Sequence, residues 1–167
     1  MTLFHKAEIT CPYCASGEDV VVWDRIDVAE DPDLKERLLR KEVQQHICQN
    51  CGEDFILALP LLYVDEAKQM QVYYCPHFAD ALKEWEASGG HTSQENLPHG
   101  VAEELARLFP DVPARARLRL EPTYNGLIEQ IHLREQGLDD RVMAVVKLAL
   151  SSRYLTEEEI LFDEMFF

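Results

Sequence analysis

Two cysteine pairs of identical spacing constrain the fold of this chain more than any other feature of its sequence. The first pair, CPYC, runs from Cys11 to Cys14, and the second, CQNC, runs from Cys48 to Cys51. A gap of two residues lets both sulfurs of a pair reach the same metal ion, and four thiolates in two such pairs form a tetrahedral zinc site. The sequence therefore predicts one structural zinc ion, held in a closed shell with no position for water or substrate. The predicted ligands are Cys11, Cys14, Cys48 and Cys51.

The first pair is also spelled like the active site of a glutaredoxin, so a redox function is an alternative. In a thioredoxin-like fold the reactive cysteine lies at the start of a helix, whose N-terminal dipole lowers the pKa of the thiol. The residues that follow Cys14, ASGEDVVVWD, instead predict a turn and then a strand. This pattern and the second pair favour a metal site, and an oxidoreductase that uses Cys11 and Cys14 stays the alternative hypothesis.

The charge balance of the chain disfavours nucleic acid as a partner. Its 167 residues include 31 Asp and Glu against 16 Lys and Arg, which gives a formal net charge of −15 at pH 7. Such a surface repels phosphate backbones at long range. A zinc ribbon that binds nucleic acid is therefore the least favoured hypothesis.

The sequence contains no pattern that predicts membrane insertion or export. No apolar run approaches the roughly 20 residues that span a bilayer. The first residues, MTLFHKAEIT, lack the charged head and apolar centre of a signal peptide. We therefore expect a cytoplasmic protein with no membrane partner, and in that reducing compartment paired cysteines are more often metal ligands or catalytic groups than disulfides.

Hydrophobic patterns predict mainly strands in the first half of the chain and mainly helices in the second. Strands are predicted over 19–28, 55–64, 70–75 and 114–122, and helices from Pro32 and over 101–109, 124–137 and 138–154. We therefore expect an α+β fold in which an antiparallel β-sheet elaborates a zinc-ribbon-like part. The predicted parts are this β-rich part over residues 1–85, a linker or mobile loop over 86–100, and an α-rich part over 101–167 packed on the first.

Six segments of the chain resemble the CpXC family of bacteria and archaea, which is named for its cysteine motifs. They are ITCPYC, DPDLKERLL, CQNCG and LLYVDEAKQM in the first half, and NGLIEQIHL and GLDDRVMAVVKLAL in the second. The resemblance covers residues 8–85 and 112–150, and it implies zinc and a fold but no reaction. The chain departs from the family pattern at the second pair, which lacks the proline of many members, in the 86–100 segment and in the C-terminal tail.

A fifth cysteine offers a second catalytic alternative. Cys75 lies two residues before His77 in YYCPHF, and a thiol beside an imidazole is the pair that a cysteine hydrolase uses. The sequence contains no identifiable third residue to orient the histidine and no oxyanion-hole motif. A strand-end thiol beside a surface histidine is the favoured interpretation.

Two further features bear on binding to a partner. Arg115, Arg117 and Arg119 alternate with apolar residues and share one face of a predicted strand. A solvated face that pairs with nearby carboxylates is the favoured interpretation of these arginines, and a docking strip for an acidic partner or a phosphate is the alternative. The tail ILFDEMFF carries Phe162, Phe166 and Phe167 among acidic residues, and so much apolar surface is expected to be buried. We expect the tail to pack near the arginine strand, in the same chain or across a homodimer. The leading functional hypothesis is a zinc-stabilised adaptor or regulatory module that binds another protein and has no catalytic activity.

Overall fold

The computed structural model describes residues 1–87, 100–110, 117–139, 142, 143, 145–147 and 149, with side chains at all of these except 85–87 and 117. Two compact units divide the chain, Met1–Thr123 and Tyr124–Phe167. The boundaries predicted at residues 85 and 101 stay a prediction, because residues 88–99 of the expected linker lie outside the described part of the chain.

The first unit contains seven strands and three α-helices among its described residues. The strands are β1 (Leu3–Thr10), β2 (Gly17–Asp27), β3 (Gln45–Ile47), β4 (Asp54–Ile56), β5 (Leu61–Asp65), β6 (Met70–Tyr74) and β7 (Arg117–Glu121). The helices are α1 (Pro32–Leu39), α2 (Ala79–Ala87) and α3 (Val101–Leu108), and a 3-10 turn over Pro76–Phe78 precedes α2. The predicted strand over 55–64 is two strands, β4 and β5, which belong to different sheets and are separated by the segment that ends at Pro60.

Five strands form the main sheet in the order β1-β2-β5-β6-β7, and β3 pairs with β4 in a separate hairpin. The α+β class is confirmed, but the sheet is mixed rather than antiparallel. The β1–β2 and β5–β6 pairs are antiparallel, whereas β2–β5 and β6–β7 are parallel. Parallel strands need long crossover connections. Here α1 and the β3–β4 hairpin supply one connection, and α2 and α3 lie in the other.

The centre of the main sheet is the core of the first unit. Every residue of β5 and β6 is buried. Leu62, Val64 and Tyr73 pack in a cluster that also contains Cys75, Leu82, Val101, Phe109, Leu118 and Leu120. Helix α2 was not predicted from the sequence, since Leu82 is its one buried residue among those whose side chains are described and a single contact gives no helical period.

A smaller cluster lies where the hairpin meets the main sheet. Val20 and Val22 of β2 and Leu57 after β4 are buried together, with Ile9 and Phe55 packed against them. Burial alternates over this part of β2, with Val20 and Val22 buried and Val21 exposed between them, so the two buried valines share the face that receives the hairpin. This cluster fixes where the second cysteine pair is presented.

The second unit contains helix α4 (Tyr124–Glu135), whose Leu127, Ile128 and Ile131 are buried as the 3.6-residue period predicts. Gly137 ends this helix region at a φ of +68°, a conformation that glycine adopts without strain. The described residues between 142 and 149 are helical, and the amide of Met143 donates to the Asp139 carbonyl at 3.1 Å. None of the described helices is long and apolar enough to cross a membrane.

Candidate metal centre

The two cysteine pairs form turns with the same backbone hydrogen bonds. In the first turn the Ala15 amide donates to the Cys11 carbonyl and the Cys11 amide donates to the Ser16 carbonyl, both at 2.9 Å. The second turn has the same two bonds. The Gly52 amide donates to the Cys48 carbonyl and the Cys48 amide donates to the Glu53 carbonyl, both at 2.9 Å. The chain therefore folds each C-x-x-C motif into the same closed loop.

Both turns need one residue in the left-handed region of backbone space. Ala15 has a φ of +60°, and Gly52, at the same position of the second turn, has a φ of +77°. Glycine adopts such a φ readily, whereas alanine is strained by its Cβ atom. The small residue after each pair is thus a requirement of the turn, as the sequence indicated.

The folded chain brings the four predicted thiols into one cluster. The Sγ atoms of Cys11, Cys14, Cys48 and Cys51 all lie within 4.8 Å of one another. The distance between the sulfurs of Cys11 and Cys51 is 3.7 Å, and that between Cys14 and Cys48 is 3.6 Å. Four sulfurs at ~2.3 Å from a tetrahedral metal ion lie about 3.8 Å apart. The cluster therefore fits a metal ion, and the predicted ligand set is brought together.

The pKa values of Cys14 and Cys51 are shifted in opposite directions. Hydrogen bonds from the Asn50 side chain and from Ser16 lower the pKa of Cys14 to about 6. The Glu53 amide acts to lower the pKa of Cys51, but burial and the neighbouring thiols outweigh it and raise that pKa to about 12. These shifts favour the thiolate form of Cys14 and the protonated form of Cys51. A divalent cation in the centre would replace such protons, since metal binding requires thiolates.

Glu18 is a member of this site that sequence analysis missed. Its Oε1 atom accepts from the Cys48 thiol at 3.0 Å and from the Gln49 amide at 2.9 Å, and its Oε2 atom accepts from His46 Nε2 at 2.9 Å. The Cys48 bond, together with those from His46 and Gln49, lowers the pKa of the Glu18 carboxyl despite its partial burial. Glu18 is far from Cys48 in the sequence, so no local pattern signals this contact.

The geometry around the first pair differs from that of a dithiol oxidoreductase. Cys14 is followed by a turn and then by β2, as predicted, and not by a helix. The short sulfur–sulfur distances of 3.7 Å (Cys11 to Cys51) and 3.6 Å (Cys14 to Cys48) each run between the two pairs. This arrangement supports a four-thiolate centre.

Cys75 and His77 are directed to different partners. Cys75 is fully buried, its sulfur lies 3.9 Å from the Glu121 carbonyl oxygen, and burial raises its pKa to about 12. His77 is partly exposed and pairs with the Glu104 carboxylate at 2.9 Å. These contacts support the strand-end thiol and separate histidine that the sequence favoured, and they add that the thiol is buried.

Most of the predicted partner-binding residues fall outside the described part of the chain. They are Arg115, Phe162, Phe166 and Phe167. Arg117 and Arg119 lie in β7 as predicted, opposite Met70 and Val72 of β6, and the side chain of Arg119 is half-buried. The expected contact between the tail and the arginine strand stays a prediction.

A family model described as CpXC protein matches residues 9–147, which include all four clustered cysteines. No curated protein and no solved structure matches the chain.

Proposed function

This chain belongs to the CpXC family, and from that premise we propose that it is a zinc-stabilised module that binds another protein. One structural zinc ion, held by the four clustered cysteines, orders the β3–β4 hairpin. The outward face of that hairpin contacts the partner. The donor set and the exposed side chains around it support the two parts of this proposal.

Zinc is the proposed metal because the donor set is four thiolates. Soft sulfur ligands in a tetrahedral arrangement favour zinc over the hard cations Mg²⁺ and Ca²⁺. Bound zinc would act as a cross-link between the two turns. A shell that four thiolates fill leaves no site for water or substrate, so the metal would be structural rather than catalytic.

The exposed face of the hairpin carries the proposal of a protein partner. In the β3–β4 register, Ile47 lies opposite Asp54 and Ile56 lies opposite Gln45, which places all four side chains on one face. Ile47 is 63% exposed and Ile56 is 41% exposed. Tyr13 of the first cysteine turn is also 63% exposed. Large apolar side chains beside a rigid metal centre are suited to docking.

The charge around this face indicates the kind of partner. Glu53 and Asp54 are exposed beside the two isoleucines, and the whole chain has a net charge of −15. An apolar surface with an acidic rim is complementary to an apolar surface with a basic rim. The proposed partner is therefore a protein with basic residues around an apolar patch.

Metal analysis tests the first part of the proposal. Protein purified without chelator should contain one zinc per chain, and a Cys48→Ser variant should contain much less. A Cys75→Ala variant serves as the control and should keep its zinc, because Cys75 lies outside the cluster. Wild-type protein without stoichiometric zinc would contradict the proposal.

A matched pair of surface variants tests the second part. Ile47→Ser combined with Ile56→Ser removes the apolar face, whereas Val21→Ser removes a strand residue of similar exposure, 45%, from the main sheet. Proteins captured from the native cell by the wild-type chain should be lost with the double variant and retained with Val21→Ser. Zinc content should be the same in all three. Equal capture by all three would exclude this face as the binding surface.

A further inference from the structure

The four cysteines of the metal centre do not have equivalent surroundings. Cys11 accepts a hydrogen bond from the Tyr13 amide and Cys14 accepts one from the Asn50 side chain, both at 3.4 Å. Such N–H donors stabilise a thiolate that binds a metal ion. The sulfur of Cys48 lies 3.4 Å from the Ser16 hydroxyl and, closer, 3.0 Å from the Oε1 atom of the Glu18 carboxylate.

Glu18 is held in this position by several other contacts. The Gln49 amide and His46 Nε2 each donate to it at 2.9 Å, and the Ser16 hydroxyl lies 3.4 Å from Oε1. The side chain is only 12% exposed. It extends from the start of β2 on the face that carries Val20, so the strand and the smaller core fix its direction. The carboxylate therefore cannot move away from Cys48 without losing these bonds.

Metal binding would turn the attractive contact between Glu18 and Cys48 into a repulsive one. An ionised carboxylate can only accept hydrogen bonds, so in the metal-free cluster the Cys48 thiol donates to Glu18. A zinc ion binds the thiolate and removes that proton. The Cys48 thiolate and the Oε1 atom of Glu18 are then two negatively charged atoms in contact. The zinc ion and its four thiolates together already carry a net negative charge. A partly buried site screens this repulsion poorly.

We infer that Glu18 weakens zinc binding at this centre and makes the metal exchangeable. This rests on the proposed zinc site and adds a regulatory property to it. The hairpin would be ordered when zinc is available and released when zinc is withdrawn, so that partner binding responds to zinc supply. Glu18 is a positioning residue, since it acts through Cys48 and not as a ligand.

The test compares wild-type protein with Glu18→Gln, which keeps the length of the side chain. In this variant the side-chain oxygen at the Oε1 position still accepts from the Gln49 amide, and the negative charge beside the Cys48 thiolate is removed. Asp19→Asn is the matched control, because it removes one acidic charge from the adjacent, exposed position of β2. Zinc affinity is measured on the full chain by competition with a chromophoric chelator, and the release rate by transfer to excess chelator. Co²⁺ spectra check that each variant has the same four-sulfur coordination.

Glu18→Gln should bind zinc about tenfold more tightly, a gain of about 1.4 kcal/mol, and should release it correspondingly more slowly. Asp19→Asn should stay within about twofold of wild type. A purely structural role for Glu18 predicts the opposite sign, because losing an anchor weakens the site. Unchanged or weaker binding by Glu18→Gln overturns the inference, as does equal tightening by Asp19→Asn. If the wild-type chain binds no zinc, the proposed function fails and the inference fails with it.

Discussion

Replacing one ligand of the metal centre, Cys14→Ser, is expected to unfold the hairpin and leave the main sheet folded. The strands β3 and β4 have only three residues each. A two-stranded hairpin of this size is not stable by itself in water. Its described apolar support is the small cluster around Val20, Val22 and Leu57. The hairpin is therefore expected to depend for its stability on a metal ion bound by the four clustered cysteines.

The size of the effect follows from this cluster. Burying three aliphatic side chains contributes about 5–9 kcal/mol. Ordering residues 44–57 costs about 14 kcal/mol or somewhat more, at about 1 kcal/mol per residue for the backbone. The difference is about 5–10 kcal/mol, and structural zinc sites supply about 10–16 kcal/mol. Without its fourth thiolate the centre loses most of that contribution, so the balance for the hairpin becomes unfavourable.

Hydrogen exchange read by mass spectrometry resolves this local effect. In Cys14→Ser, residues 44–57 should lose amide protection, while β5 and β6, buried along their whole length, should keep it. Cys75→Ala is the control variant and should keep protection in the hairpin. Unchanged protection of residues 44–57 in Cys14→Ser would show that the hairpin is stable without the metal centre, and the reasoning would be refuted.

Four further outcomes are expected. Burial raises the pKa of Cys75 to about 12, so iodoacetamide at pH 8 should leave this thiol unmodified until the protein is unfolded, and rapid alkylation of the folded chain would contradict its burial. The unfolded thiol loses its proton near pH 9, so the contribution of Cys75 to stability should fall between about pH 9 and pH 12. Tyr73→Phe removes the buried hydroxyl that donates to Glu104 and should lower the free energy of unfolding by about 1–3 kcal/mol. A denaturant titration measures this change, and an unchanged midpoint would contradict it. Deleting residues 157–167 should lower the melting temperature or convert a dimer into a monomer, because their apolar side chains are expected to be buried. A truncated chain with the melting temperature and the oligomeric state of the full chain would show that the tail is free.

Local patterns in the sequence determined the four cysteines of the cluster and most of the elements. The C-x-x-C spacing lets both sulfurs of a pair reach the same metal ion, and this depends only on the local chain. The small residues Ala15 and Gly52 allow the turn that positions the sulfurs. The helices α1 and α4 were predicted from a periodic apolar face and a proline or glycine at an end. Strand β2 was predicted from its composition. These features depend on residues within a few positions of one another.

The tertiary structure alone decided which distant residues meet. Whether β2 pairs with β5 in the parallel or antiparallel sense depends on how the chain crosses over through α1 and the hairpin, and the composition of a strand is the same in both cases. The separation of Cys75 from His77 also depends on long-range contacts, since burial directs the thiol inward and Glu104 of α3 binds the imidazole. The carboxylate of Glu18 reaches Cys48 because the smaller core packs the hairpin against β2. Contacts of this kind arise from packing between elements that are remote in the chain, and no spacing along the sequence records them.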